Sequence, residues 1–225
     1  MRGIEGAPGA AAEIRAHLAE MNAERPTVAL AAAFSPKGAR TLSQILDAAN
    51  RVFVREGHAG LSMRKVADEA GLALGNVNYY FDSKRALLEA MLKEALADYV
   101  EAHIRQFDEG RDAPIDILLD VLHFYVSNAR RTHPLFFQIW GYAASDETAR
   151  ALVREIYRPI GRFIYYLVRA ARPDASDQRV REIVLQLFSL EEGMKLFIGI
   201  SREDDAALQT AEAQMRALAR IIITS

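Results

Sequence analysis

The stretch from Ser62 to Phe81 constrains this chain more than any other. Ser62 is a good helix N-cap, because its hydroxyl can accept from a backbone N–H at the start of the helix. Met63, Val66, Ala67 and Ala70 then fall on one helical face, and Gly71 supplies a stop. A very short helix is predicted at about Gly75–Phe81, only a few residues later. Upstream, Leu42, Ile45, Leu46, Ala49, Val52 and Phe53 form the apolar stripe of a longer helix over Thr41–Glu56, closed by Gly57. Two helices joined by a short Gly-containing turn are the arrangement that lays a second helix in the DNA major groove.

The short helix has two chemically different sides, its residues being about 100° apart. Leu74, Val77 and Phe81 cluster on one side and are expected to pack inward. Gly75, Asn76 and Tyr79 lie opposite, flanked by Asn78 and Tyr80. Amides that donate and accept, and rings that meet sugars or thymine methyls, suit base reading. Gly75 has no side chain to hold a DNA backbone away. Ser62, Arg64 and Lys84 stand at or near helix starts, where phosphate contacts position such a domain. Between Lys37 and Lys93 nine positive side chains face six negative ones, although the whole chain carries −2. An ordinary three-helix packing unit with part-buried tyrosines remains the alternative on spacing alone.

The stretch Thr41 to about Leu88 resembles the N-terminal domain of the TetR family of bacterial regulators. The resemblance rests on the Ile45–Phe53 stripe, Gly57 and LSMRKVADEAGLALGNVNYYFDSKRALL from Leu61 to Leu88. A Ser or Thr before helix two, Ala-x-x-Ala-Gly at the turn, an aromatic pair ending in Phe and a Lys opening helix four match Ser62, Ala67–Gly71, Tyr79–Phe81 and Lys84. The resemblance implies a homodimeric, ligand-responsive repressor on a near-palindromic double-stranded operator. The chain departs from the pattern at Ala73 and Leu74, where many members carry a hydroxyl and a basic residue, and at Asn78, where many carry an aromatic. The extension before Lys37 is longer than the family's usual arm.

Nearly every other segment repeats with the helical period, so the expected class is all-α. Three parts are expected: an extension over 1–36, partly disordered or a short helix at Ala10–Ala23; a helix-turn-helix domain over 37–88; and a helical ligand-binding and dimerisation bundle over 89–225. The extension is read as a mobile arm; alternatively it reaches DNA or packs on the body, using Arg15, Arg25 and Lys37. A fourth helix should run from Asp82 or Ser83 to about Phe107. Later helices are expected at Pro114–Arg131, Pro134–Ala144, Asp146–Ala171, Asp177–Gly199 and Asp204–Ile223, with Pro159 kinking or splitting the third of these.

By the same resemblance, the last two helices should pair with their copy in a second subunit, through Val180, Ile183, Val184, Leu187, Phe188 and Leu190 followed by Met194, Leu196, Phe197 and Ile198, and through Leu208, Ala211, Met215, Leu218 and Ile222. An aromatic-rich set, Phe124, Phe137, Trp140, Tyr157 and Tyr165, is the candidate pocket for a small-molecule inducer. Glu191 and Glu192, within an apolar helix, suit either a cationic ligand or a pairing with Lys195 or an Arg.

Half of the 225 residues are hydrophobic and none is Cys, so disulfides, thiolate metal sites and cysteine nucleophiles are excluded. The five histidines fall in no tight ligand spacing, and no phosphate loop or GxSxG elbow is present. No enzyme, metal or cofactor is expected, nor a membrane span, and the expected setting is the cytoplasm. Three alternatives stand beside the repressor: an activator, a nucleoid-type DNA binder, and a helical small-molecule-binding protein whose DNA head is impaired.

Overall fold

The computed structural model describes residues 8–29, 34–96, 101 and 113–225, apart from 203 and 207. All regular elements among the described residues are helices: α1 (Pro8–Ala23), α2 (Pro26–Ala29), α3 (Pro36–Gly60), α4 (Met63–Ala70), α5 (Leu74–Tyr80), α6 (Lys84–Ala95), α7 (Pro114–Ser127), α8 (Ala129–Ala143), α9 (Glu147–Ala171), α10 (Asp177–Ile200) and α11 (Ala211–Thr224). The helices form two compact units.

The first unit comprises residues 20–98 and 134–157. Here α3 packs on α4 and α6, and α4 packs on α5. Their core is the stripe expected from the sequence, Leu42, Ile45, Leu46, Ala49, Val52 and Phe53, closed by Val66, Ala67, Val77, Phe81, Leu87 and Leu88. Ser62 and Ser83 cap α4 and α6 by accepting from Lys65 N and Ala86 N. Helix α3 is longer than the stripe suggests, starting at Pro36 behind a Ser35 cap and bending at Gly57 before it ends. The unit also takes in 134–157, which chain order places far from 37–88.

The second unit comprises 1–19, 99–133 and 158–225. Within it α7 packs on α10 and α11, and α10 packs on α11. Two ion pairs from α11 clamp α7: Arg220 to Asp116 at 3.1 Å, and Arg216 to Asp120.

Several boundaries differ from the sequence reading. The break expected at Thr132–Pro134 falls at Asn128 instead, and α8 runs through Pro134. Pro134 has no N–H to give the Arg130 carbonyl, and His133 Nδ1 meets that oxygen at 2.8 Å in its place. Helix α9 is continuous across Pro159. The last helix begins at Ala211 rather than Asp204, after turns closed by Asp205 N to Arg202 O and Leu208 N to Asp205 O. The expected continuation of α6 toward Phe107 lies largely outside the described residues. The extension holds helix α1, in which Ile14, His17, Leu18 and Met21 are buried. Its spacing of three and four residues makes one inward face.

Candidate nucleic-acid interface

Helix α5 has only seven residues and no side-chain cap. It owes its place to what it buries: Val77 is fully buried and Phe81 nearly so. The turn before it is set by Gly71, whose φ of 66° and ψ of 33° are left-handed and whose N–H reaches Ala67 O and Asp68 O. Gln44 Nε2 donates to Ala70 O at 2.6 Å, bracing the same corner from α3.

With Val77 inward, the opposite side of α5 faces outward. Gly75, Asn76, Asn78 and Tyr79 are exposed, and Tyr79 is 73% exposed. Tyr80 differs: it is half-buried, and its hydroxyl donates to Gly38 O at 3.0 Å. Ser62 Oγ is occupied by Lys65 N at 3.2 Å, leaving its own proton available to donate. Arg64 is exposed and makes no ion pair among the described residues. Lys84 is held inward, its Nζ donating to His58 O at 2.6 Å, and burial lowers its pKa below the ordinary value.

The positive excess of the sequence is partly spent within the head. Glu69 pairs with Arg51 at 2.8 Å and Arg55 at 3.1 Å, and Glu56 pairs with Arg55 at 3.1 Å and Lys65 at 2.5 Å. Lys65, then Arg55, pulls Glu56 below the usual carboxylate range; Arg51, then Arg55, does the same to Glu69. Lys37, Arg40, Arg64 and Arg85 carry no such counter-charge among the described residues and remain open to phosphates.

Sequence reasoning missed the corner behind α3. Gly57 adopts φ 69° and ψ −177°. A Cβ there would stand 2.8 Å from Gln138 Oε1, while Gln138 Nε2 donates to Val54 O at 3.3 Å. The next residue, His58, lays its ring 4.4 Å from that of Tyr142. Gln138 and Tyr142 are one turn apart on α8, so one helical edge grips the end of α3. Spacing within the head could not disclose partners some 80 positions away.

The five candidate pocket aromatics do not form one group. Phe137 lies 5.6 Å from Trp140, and Trp140 Nε1 donates to Tyr157 Oη at 3.3 Å. Phe124 and Tyr165 belong to the other unit, where the Tyr165 hydroxyl donates to Asp177 at 3.2 Å. A cavity in that unit is lined by Leu122, Tyr125, Ile164, Leu187, Phe188 and Glu191, and has room for about one water. Glu191 is buried with Lys195, whose ammonium lies 2.7 Å from its Oε1 and 3.3 Å from Glu192. The Oε1 contact is at ion-pair distance but out of line for a hydrogen bond. The pairing weighed for these glutamates is therefore with Lys195.

Residues 45–91 match the model of bacterial regulatory proteins of the tetR family. That stretch of the chain is similar to the family's DNA-binding domain. The HTH-type transcriptional regulator BetI of Burkholderia mallei is 27% identical over 175 residues, covering 75% of this chain and 88% of its own. Among solved structures, a TetR transcription regulator from Haloarcula marismortui superposes with a TM-score of 0.62 at 18% identity, covering 83% of this chain and 97% of its own. The multidrug binding protein EbrR, complexed with malachite green, gives 0.61 at 20% identity, covering 80% and 96%. These likenesses support the all-α TetR-type fold, and the relatives are regulators of transcription. No helix among the described residues is long and apolar enough to cross a membrane.

Proposed function

We propose that this chain is a TetR-family regulator, a ligand-responsive homodimeric repressor acting in the cytoplasm, with a reading head over 37–88 and a binding and dimerising body over 89–225. The observation that carries the reading is the outward face of α5, where Asn76, Asn78 and Tyr79 stand exposed around Gly75 on a helix anchored by Val77 and Phe81. Asn76, Asn78 and Tyr79 read base edges, with Tyr80 braced beside them on Gly38; Ser62, Arg64 and Lys84 hold phosphates. Lys84 has three ammonium protons, so its bond to His58 O leaves two for a phosphate.

Two copies are needed to present two such helices to successive major grooves. The outer sides of α10 and α11 suit that pairing: Leu185, Leu196, Phe197 and Ile200, with Leu218 and Ile221, are exposed large apolar side chains. The contact keeps only part of the stripes expected from the sequence, Leu196, Phe197 and Leu218. Val180, Ile183, Leu187, Ala211 and Met215 are buried inside their own subunit, so the residues offered to a partner lie on the other side of the same helices.

Phe137, Trp140 and Tyr157 provide the aromatic wall for an inducer. EbrR, a fold relative, is a multidrug binding protein complexed with malachite green. Trp140 is the sole tryptophan, so inducer binding is read directly as a change in its fluorescence.

The deciding experiment is a gel shift on the DNA upstream of the protein's own gene across salt concentrations. A specific complex with a steep salt slope supports the repressor. Equal weak binding to every sequence would indicate a nucleoid-type binder, and no binding would leave a ligand-binding protein with an impaired head.

A further inference from the structure

Tyr79 poses a physical problem. It is the most exposed large side chain of the reading face, and it stands on a helix too short to hold it by itself. An exposed ring free to change rotamer loses that freedom on binding, which weakens both affinity and discrimination. Its surroundings remove part of that freedom. The Tyr80 ring lies 5.2 Å away and nearly perpendicular, at 89°. Phe34, from the segment before α3, lies 4.7 Å from Tyr80 and 6.0 Å from Tyr79, tilted by 56° and 54°. Three rings therefore contact one another, at separations typical of favourable aromatic pairs.

The group is tied down at its base. Tyr80 Oη donates to Gly38 O at 3.0 Å. Gly38 also lets Phe34 approach: a Cβ on Gly38 would stand 2.9 Å from Phe34 Cβ and 3.3 Å from Tyr80 Oη. The chain thus has a side-chain-free position where Phe34 and Tyr80 close over it. Phe34 and Gly38 both precede the stretch 45–91 that matches the family model, Phe34 at the end of the extension and Gly38 in the first turn of α3.

We infer that Phe34 is a positioning residue for the DNA-reading face, holding Tyr79 in its binding orientation through the Phe34–Tyr80–Gly38 clamp. The inference rests on the reading that Tyr79 contacts operator bases. Phe34 itself touches no base; it acts by limiting where the Tyr79 ring can go. It extends the functional head to residue 34 and gives this end of the extension a task distinct from that of α1.

The test measures binding of the full-length protein to its operator and to a set of single-base variants of that operator. Phe34→Ala is expected to weaken operator binding about three- to tenfold, the range that corresponds to freeing one side chain. It should reduce discrimination at the same base positions as Tyr79→Ala. In the Tyr79→Ala background, Phe34→Ala should have no further effect on discrimination. Phe34→Tyr should restore it, and Gly38→Ala, which crowds the clamp from below, should reproduce the loss. The salt slope should not change, since no phosphate contact is removed. If Tyr79→Ala alters discrimination while Phe34→Ala does not, or weakens all sequences equally, the positioning role is overturned and the reading face stands. If Tyr79→Ala itself leaves discrimination unchanged, both are overturned.

Discussion

Lys84 Nζ donates to the backbone carbonyl of His58 at 2.6 Å, joining the first turn of α6 to the far end of α3. A residue that sequence reasoning assigns to DNA phosphate is also an internal strut, and the two roles predict different losses. Lys84→Ala should lower head stability by about 1.5–3 kcal/mol, the worth of a charged hydrogen bond. It should also weaken binding to every DNA sequence and flatten the salt dependence. Thermal unfolding of the free protein checks the first effect and titration at several salt concentrations checks the second. If operator affinity fell with no change in salt slope, Lys84 would be a strut alone.

The bend beside it depends on Gly57. Its φ of 69° with ψ near 180° belongs to a region open essentially to glycine, and Gln138 Oε1 fills the place a Cβ would take. Gly71 also has positive φ, but a Cβ there would meet nothing within 4 Å. Gly57→Ala should therefore cost more than Gly71→Ala: about 3 kcal/mol or more, from strain and crowding together, against about 1–2 kcal/mol from strain alone. Chemical denaturation of the two variants decides it; equal losses would show that Gln138 moves away freely.

His58 makes the same corner sensitive to acid. Burial, and secondarily the charge of Lys84, push its pKa below the ordinary 6.5, against a smaller opposing pull from Asp146. A base with a depressed folded-state value is neutral in the fold, and the unfolded chain binds protons more readily. The contribution to stability is present above pH 6.5 and is lost as the pH falls through the lower folded value. Unfolding temperature followed from pH 7.5 to 5 should fall less steeply in His58→Gln than in the native chain. A parallel pH profile for the two would remove His58 from the account.

In the second unit, Lys195 lies 2.7 Å from Glu191 with both side chains buried. Burial raises the Glu191 carboxyl to about 7 despite the pull of Lys195. Removing only the cation, as in Lys195→Met, leaves a buried acid that takes up a proton and lacks its partner, and should cost about 1–3 kcal/mol. Adding Glu191→Leu should restore most of the loss, because both polar groups are then gone. A double-mutant cycle by urea unfolding measures this, and an unrecovered double variant would mean that the pair has a packing role its charges do not explain.

How much of this was legible beforehand divides along chain distance. The α3 stripe, the Ser62 cap, the Gly71 turn and the sidedness of α5 are local patterns of three to five residues, and the structure has each of them. The all-α class follows from the same periodicity. What escaped were contacts made across long separations: Gln138 with Val54, Tyr142 with His58, and Phe34 with Tyr80. Helix stripes also cannot say which of two apolar sides turns inward. Met215 and Ala211, on the stripe expected to face a partner, are buried in their own subunit. The expected break at Pro134 failed because a neighbouring histidine supplied the missing donor.

The outer face of α10 and α11 gives the last prediction. Leu185, Leu196 and Ile200 recur at helical spacing along one edge of α10, and Ser189 and Gly193 complete that edge with small side chains. Gly193 has open space where a Cβ would project, so a side chain added there meets nothing within its own subunit. A second subunit crossing at this edge would meet it directly. Leu185→Asp and Gly193→Gln are expected to leave the monomer fold intact by circular dichroism, shift sedimentation from dimer to monomer, and reduce operator affinity at least tenfold, since one head alone cannot hold two half-sites. Ile183→Asp, on the buried side of the same helix, should instead unfold the unit. A protein that stays dimeric with Leu185→Asp and Gly193→Gln combined would place the subunit contact elsewhere.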